Sequence, residues 1–270
     1  MTRRSWVQIP PPLPKIILIS VKFKRIFLIF LLWPNIVLSN EASLKAADFV
    51  RHIKKLYSEL GFSERLLSLR AFRCSITAYY IALSEKHIKK PYILTIIDYT
   101  KPSTKERLFV IDLKKRKILF KELVAHGKMS GNKYARYFSN KPGSLKSSIG
   151  LYITLNPYIG KHGYSLRLRG LEKGFNDNAE RRNIVMHGAW YVNRKMAKYL
   201  NWIGRSWGCP AVSLQSAKKI IDIIKGGTAL YIYYPLKNYF QKSQYLNLQK
   251  AALIFNKKLF KIADLKKSSY

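Results

Sequence analysis

Acidic side chains are scarce in this 270-residue sequence: 14 Asp and Glu stand against 50 Lys and Arg, a formal net charge of +36. So one-sided a charge excludes a partner of the same sign and favours an anionic one. Composition alone does not choose among nucleic acid, an acidic membrane face and an anionic cell wall. Cysteine is scarcer still. Cys74 and Cys209 allow at most one bridge, so a disulfide-rich scaffold is excluded and each thiol has to be read by its own surroundings. Zinc-finger spacing, a Walker loop and aromatic-laced basic motifs are all missing, which removes the usual grounds for a nucleic-acid role. The apolar run from Ile26 to Leu38 is too short, and too interrupted by Pro34 and Asn35, to make a comfortable membrane span.

That run does have another reading. It follows Lys22, Lys24 and Arg25 and ends at Val37-Leu38-Ser39. A basic start, an apolar middle and a small residue before the cut make a secretory signal peptide. Residues 1–39 are therefore expected to be a signal peptide cleaved near Ser39 or Asn40, touching the membrane only transiently, with an uncleaved anchor as the alternative. The stretch Met1 to Pro14 fits that role poorly. Trp6-Val7-Gln8-Ile9-Pro10 and the prolines after it can be encoded by the T-arm and terminal CCA of a transfer RNA gene. Translation is expected to begin near Val21, with residues 1–20 a mis-assigned start.

The mature chain changes rhythm twice. Residues 40–90 read as a helical segment: Ala46, Val50, Ile53, Leu56 and Leu60 recur at helical steps up to Gly61, and a second helix is expected from about Glu64 to Glu85. Residues 91–236 read as short strands at Tyr92–Asp98, Leu108–Asp112, Ile118–Ala125, Leu151–Leu155, Ser165–Leu168, Ile184–His187 and Ala229–Tyr234. Turn residues, Asn156-Pro157 among them, separate these runs. A mainly β sandwich or barrel is expected, interrupted by one helix over Leu214–Lys225 with Ser213 as its N-cap and Gly226 as its stop. Residues 237–270 form a basic tail, expected to be a surface helix at most.

The chemistry centres on Gly204-Arg205-Ser206-Trp207-Gly208-Cys209-Pro210, expected just before that helix. A thiolate at a helix start is favoured by the helix dipole, and free N–H groups there can hold an oxyanion. A cysteine nucleophile also needs a base. His52 and His87 sit among lysines in the helical segment, while His126, His162 and His187 each precede a glycine at or near a strand end. His187 stands out because it ends the run Ile184-Val185-Met186 and leads toward Cys209. Cys74, beside Phe72 and Ile76, reads as a buried inert thiol.

These pieces, with Asp98–Ser103, Arg107–Asp112, Val124–Ser130, Phe138–Gly150, Gly163–Gly174, Asn176–Ala179, Ile184–Val192 and Gly204–Ala211 in fixed order, resemble the murein L,D-transpeptidase catalytic domain family of YkuD-type fold. The resemblance covers roughly half the chain. Two departures stand in the motif: Trp207 replaces the histidine before Gly-Cys, and Pro210-Ala211 replaces an aliphatic residue followed by Asn or Arg. His187 also lies 22 positions before Cys209, which implies a longer connecting loop over Asn193 to Ile203.

The resemblance implies an exported cell-envelope enzyme acting on peptidoglycan stem peptides. Cys209 would be the nucleophile, His187 the base, and the backbone at Cys209 and Gly208 the oxyanion hole. Arg205, Ser206, Trp207 and His162 are implied candidates for binding substrate, with Arg205 pairing a carboxylate. The family calls for no metal and no cofactor, and no nucleic-acid partner is expected. A purely hydrolytic L,D-carboxypeptidase or endopeptidase and a non-catalytic wall-binding protein are the alternatives. Oligomeric state is not legible.

Overall fold

The structure, a computed structural model, describes residues 43–257. The signal segment, its cleavage site, the start near Val21 and the end of the basic tail lie outside them. The chain divides into two units, Met1–Leu44 and Lys45–Tyr270, and of the first only Ser43 and Leu44 are described.

From Pro91 the β-branched and aromatic runs do become strands, because alternate residues have an apolar interior to face. They are β1 (Ile93–Asp98), β2 (Leu108–Asp112), β3 (Lys117–Glu122), β4 (Gly150–Gly160), β5 (Gly163–Gly170), β6 (Val185–Ala189), β7 (Ala211–Ser213) and β8 (Ala229–Tyr233). All eight join one sheet in the order β3-β2-β1-β8-β4-β5-β6-β7. The two outer strands then curl toward each other. Beyond β3 the chain runs on to Ala125, whose N–H donates to the Ala211 carbonyl at 2.8 Å, while Ser206 and Lys128 exchange backbone bonds with His126 and Ser206. The fold is a near-closed barrel of mainly β architecture.

Asn156-Pro157 does not break β4, contrary to expectation. Strand β4 pairs with β8 over Gly150 to Ile153, and the last N–H used on that side is that of Thr154, which donates to the Thr228 carbonyl at 3.0 Å, so at Pro157 one side of it needs no N–H. Pro157 instead pairs with Leu166 after a register shift that absorbs the irregularity.

Helices complete the core. Helix α1 covers residues 43–59 and ends at Leu60 and Gly61, the latter at φ +68°. Helix α2 (Leu69–Ser84) starts five residues later than expected, because the Ser68 hydroxyl accepts the Ala71 N–H and caps it. Phe49, Ile53, Leu56, Phe72, Tyr79 and Tyr80 are buried in the same cluster as Ile96, Val110, Leu151 and Ile232. Residue 90 is therefore no domain boundary. The helical segment packs on the sheet, and each such side chain contributes about 1.5–3 kcal/mol by leaving water.

The tail is likewise not a surface appendage. Helices α5 (Lys237–Lys242) and α6 (Leu248–Asn256) bury Tyr239, Ala251, Ala252 and Phe255. Glu172, itself buried, clamps this segment by accepting the Leu151 N–H at 2.7 Å, the Tyr239 hydroxyl at 2.7 Å and the Ser243 hydroxyl. Helix α3 (Arg194–Tyr199) occupies the expected long loop, and α4 (Leu214–Ile224) lies where the sequence puts it, with Ala217, Ile220, Ile221 and Ile224 inward.

Candidate active site

Strands β6 and β7 run parallel, with His187 opposite Ala211. Cys209 stands two residues before Ala211 and so comes level with Val185. The Val185 N–H indeed points at its sulfur, 3.5 Å away. The thiol in turn faces the Asn183 carbonyl at 3.7 Å. His187 lies two residues along β6 from Val185, and side chains at that spacing share one face of a strand. The parallel pairing thus brings Cys209 and His187 to the same edge of the barrel.

The turn bearing Cys209 is built from short polar contacts. Ser206 Oγ donates to the Cys209 carbonyl at 2.6 Å and accepts the Gly208 N–H at 3.1 Å. Ser147 Oγ donates to the Gly208 carbonyl at 3.0 Å. Gly208 sits at φ +128°, and a Cβ there would fall 2.9 Å from the Lys146 carbonyl oxygen and 3.0 Å from Ile184 Cδ1. Only glycine fits both the dihedral and the space.

Two expectations change at this point. Cys209 is not at a helix start: Pro210 and β7 intervene, and α4 is capped by Ser213, whose hydroxyl accepts the Ser216 N–H at 3.2 Å. The helix dipole fades within a turn and does not reach the thiol. The Gly208 N–H is also spent on Ser206, so it does not line an oxyanion hole. The Cys209 N–H has no hydrogen-bond partner among the described residues.

Burial dominates the electrostatics of the pair. It pushes the Cys209 thiol up from its ordinary value, against the Val185 N–H and the positive charges of Arg182 and Lys161. It pushes His187 down, helped by the nearby His162 and Lys161 and opposed by the Gly188 carbonyl. A raised thiol beside a lowered imidazole rests as a neutral pair. The tautomer follows from a single contact. His187 Nδ1 lies 2.9 Å from the Gly188 carbonyl, which only accepts, so Nδ1 carries the proton and Nε2 keeps its lone pair.

The substrate-binding candidates separate into two groups. His162 stacks on His187, with centroids 4.3 Å apart, and Trp207, two residues before Cys209, is 68% exposed. Ser206 is buried and its hydroxyl works within the turn. Arg205 faces elsewhere: its Nη1 donates to Asn132 Oδ1 at 2.6 Å and to the Lys128 and Gly131 carbonyls, and its guanidinium lies 5.1 Å from the Trp202 ring centroid. Its charge is felt by His126, not by Cys209 or His187. His126 itself is a buried structural histidine, with Nδ1 held by Arg107 at 2.7 Å and Nε2 by the Gly131 carbonyl at 3.1 Å.

Two cations near the thiol belong to no motif in the sequence. Arg182 donates to the Ser139 and Lys146 carbonyls and to the hydroxyls of Ser148 and Ser144, so it fixes the loop beneath Gly208. Lys161 sits at the tip of the β4–β5 hairpin, with its Nζ 5.0 Å from the Trp207 ring centroid. Its sequence signal was the pair Lys161-His162 between Gly160 and Gly163.

Residues 63–233 match the family model described as the L,D-transpeptidase catalytic domain. Among solved structures, an L,D-transpeptidase from Mycobacterium smegmatis aligns with a TM-score of 0.33 at 15% identity, over 53% of this chain and 59% of that one. The helical cell shape determining protein of Campylobacter jejuni aligns with a TM-score of 0.38 at 14% identity, over 71% and 64%. An L,D-transpeptidase from Stackebrandtia nassauensis gives 0.33 and 14%, over 68% and 77%. The chain thus spans 59% of the length of the mycobacterial structure. No curated protein matches it.

Proposed function

The chain belongs to the L,D-transpeptidase catalytic domain family, and from that premise we propose that it is an exported cysteine enzyme that opens the L,D-peptide bond of peptidoglycan tetrapeptide stems. The observation that carries this reading is the neutral pair on β6 and β7: a Cys209 thiol at the Val185 amide, and a His187 whose tautomer leaves Nε2 free to accept a proton.

The reaction follows from that state. In the free protein the S–H points to the Asn183 carbonyl, and it has to swing toward Nε2 to lose its proton. The thiolate attacks the carbonyl carbon of the scissile bond, and the Cys209 N–H takes the developing oxyanion. The C–N bond then breaks, imidazolium returns the proton to the departing D-alanine amine, and a thioester remains. An amine from a second stem attacks the thioester next and gives its proton to Nε2; the C–S bond breaks, the departing thiolate takes that proton back, and a cross-link results. Water in that place yields a shortened stem, which is the hydrolytic alternative. An envelope location suits both the substrate and the excess of positive charge on the chain.

Mass spectrometry of residues 41–270 with a disaccharide-tetrapeptide tests the proposal. Release of D-alanine with dimer formation, lost in Cys209→Ala, supports transpeptidation, and release without dimers supports hydrolysis. A folded wild-type protein that releases nothing and is not acylated by a carbapenem sinks both and leaves a non-catalytic wall-binding role.

A further inference from the structure

We infer that Lys161, at the tip of the β4–β5 hairpin, is the residue that reads the free carboxylate of the departing D-amino acid; this rests on the stem-peptide reading above.

The argument begins with the hairpin. Gly160 pairs with Gly163, so Lys161 and His162 alone make the turn, and Gly163 at φ +71° closes it in the left-handed region. This tip touches both sides of the reacting pair. His162 lies flat on His187, and the Lys161 ammonium lies over Trp207, two residues before Cys209. Charge leads to the same place: Lys161 is a positive charge felt by both Cys209 and His187.

Competing cations are otherwise engaged. Arg182 spends its guanidinium on four oxygens, and Arg205 is bound to the Lys128–Asn132 loop. Lys161 makes no hydrogen bond or ion pair among the described residues; its contact is with the face of Trp207. A carboxylate could therefore bind it without first breaking an internal pair.

Reaction geometry supplies the rest. The imidazolium of His187 has to protonate the leaving amine, so the departing residue sits against His187. In an α-amino acid the carboxylate is one carbon removed from that nitrogen. The cation it meets has to stand immediately beside His187, and Lys161 adjoins the residue stacked on it. Trp207 would hold the ammonium stem in place while the carboxylate approaches, as aromatic faces do for cations.

The test uses two tetrapeptide stems, one ending in D-alanine and one in D-alaninamide, titrated into Cys209→Ala protein and followed by tryptophan fluorescence. An exposed ion pair is modest, so the carboxylate form is expected to bind about fivefold more tightly. Adding Lys161→Gln abolishes that preference, and Lys161→Arg retains it. Preference kept in the Gln variant, equal binding by the parent, or no binding of either peptide overturns the assignment. Turnover by the wild-type chain reports separately: a protein that prefers the carboxylate yet never cleaves refutes the enzymatic reading and leaves Lys161 as a carboxylate reader.

Discussion

His162 lies flat against His187, with ring centroids 4.3 Å apart and planes within 17° of parallel. Two imidazoliums cannot share that geometry cheaply, so protonating one opposes protonating the other. Burial, then His162, then Lys161 hold His187 below its ordinary value. A base is active when deprotonated, so kcat/KM should stay high as pH falls past 6.5 and drop only below it. His162→Phe keeps a ring for stacking but no charge, and it should move that acid limb upward. A limb that does not move would show that His162 has no electrostatic hold on the base.

Thiol reactivity should separate the two cysteines. Cys74 is buried and its thiol is pushed up to about 11, whereas Cys209, also raised by burial, is half-exposed at the surface and has the Val185 N–H, Arg182 and Lys161 favouring its thiolate. Iodoacetamide on the native protein is expected to label Cys209 alone, slowly near neutral pH and faster as pH rises through the alkaline range. Mass spectrometry should find the second label only after unfolding. Fast labelling of Cys209 at pH 6 would mean that the resting pair is ionic.

Gly208→Ala should be disproportionately costly for one methyl group. The new Cβ meets the Lys146 carbonyl at 2.9 Å and Ile184 at 3.0 Å, at a backbone φ of +128°. A loss of about 2 kcal/mol in chemical denaturation is expected, with activity falling at least tenfold because the turn displaces Cys209. A variant of wild-type stability and rate would show that the turn yields freely.

Glu172→Ala tests the clamp between barrel and C-terminal segment. It leaves the Leu151 N–H and the Tyr239 and Ser243 hydroxyls without their acceptor. A loss of about 3 kcal/mol is expected, measured by urea unfolding. Catalysis by the protein that remains folded should be little changed.

Acid should destabilise the fold through His126. Burial first, and Arg107 next, lower it to about 3. A base depressed in the folded state takes up its proton more readily when unfolded. Its contribution is therefore complete above pH 6.5 and is lost as pH falls toward 3. Thermal midpoints should decline across that window, and His126→Asn, which has no such proton to gain, should decline less steeply.

Much of the barrel was readable because its strands alternate or run apolar between clear breaks, as in Ile93–Asp98 and Ala229–Tyr233. Strand β7 was not: three residues squeezed between Pro210 and the Ser213 cap carry too short a pattern to register. Missing it put Cys209 on a helix dipole that belongs to Leu214. The C-terminal segment was misread because its buried face rests on Tyr239 and Phe255, isolated aromatics in a lysine-rich stretch. Motif order singles out Cys209 and His187 in the sequence, whereas the position of Lys161 beside them depends on which way a hairpin folds over a neighbouring strand. Arg205 misled because a guanidinium beside a nucleophile looks like a receptor until its partners at Lys128, Gly131 and Asn132 are visible.

The stitching of Ala125 to Ala211, with Ser206 tied to His126 and Lys128, has a consequence for how peptides can be taken up. Ala211 is paired on both sides, with His187 and with Ala125, so β7 offers no open edge there for a guest to extend by β-augmentation. A stem that mixes L and D centres would be a poor guest for such a ladder in any case, because its side chains and amides cannot keep a regular alternation. On the proposed stem-peptide chemistry, selection at this barrel would fall to the ends and charges of the peptide, and proteins that bear regular L-peptide strands would gain no foothold beside Cys209.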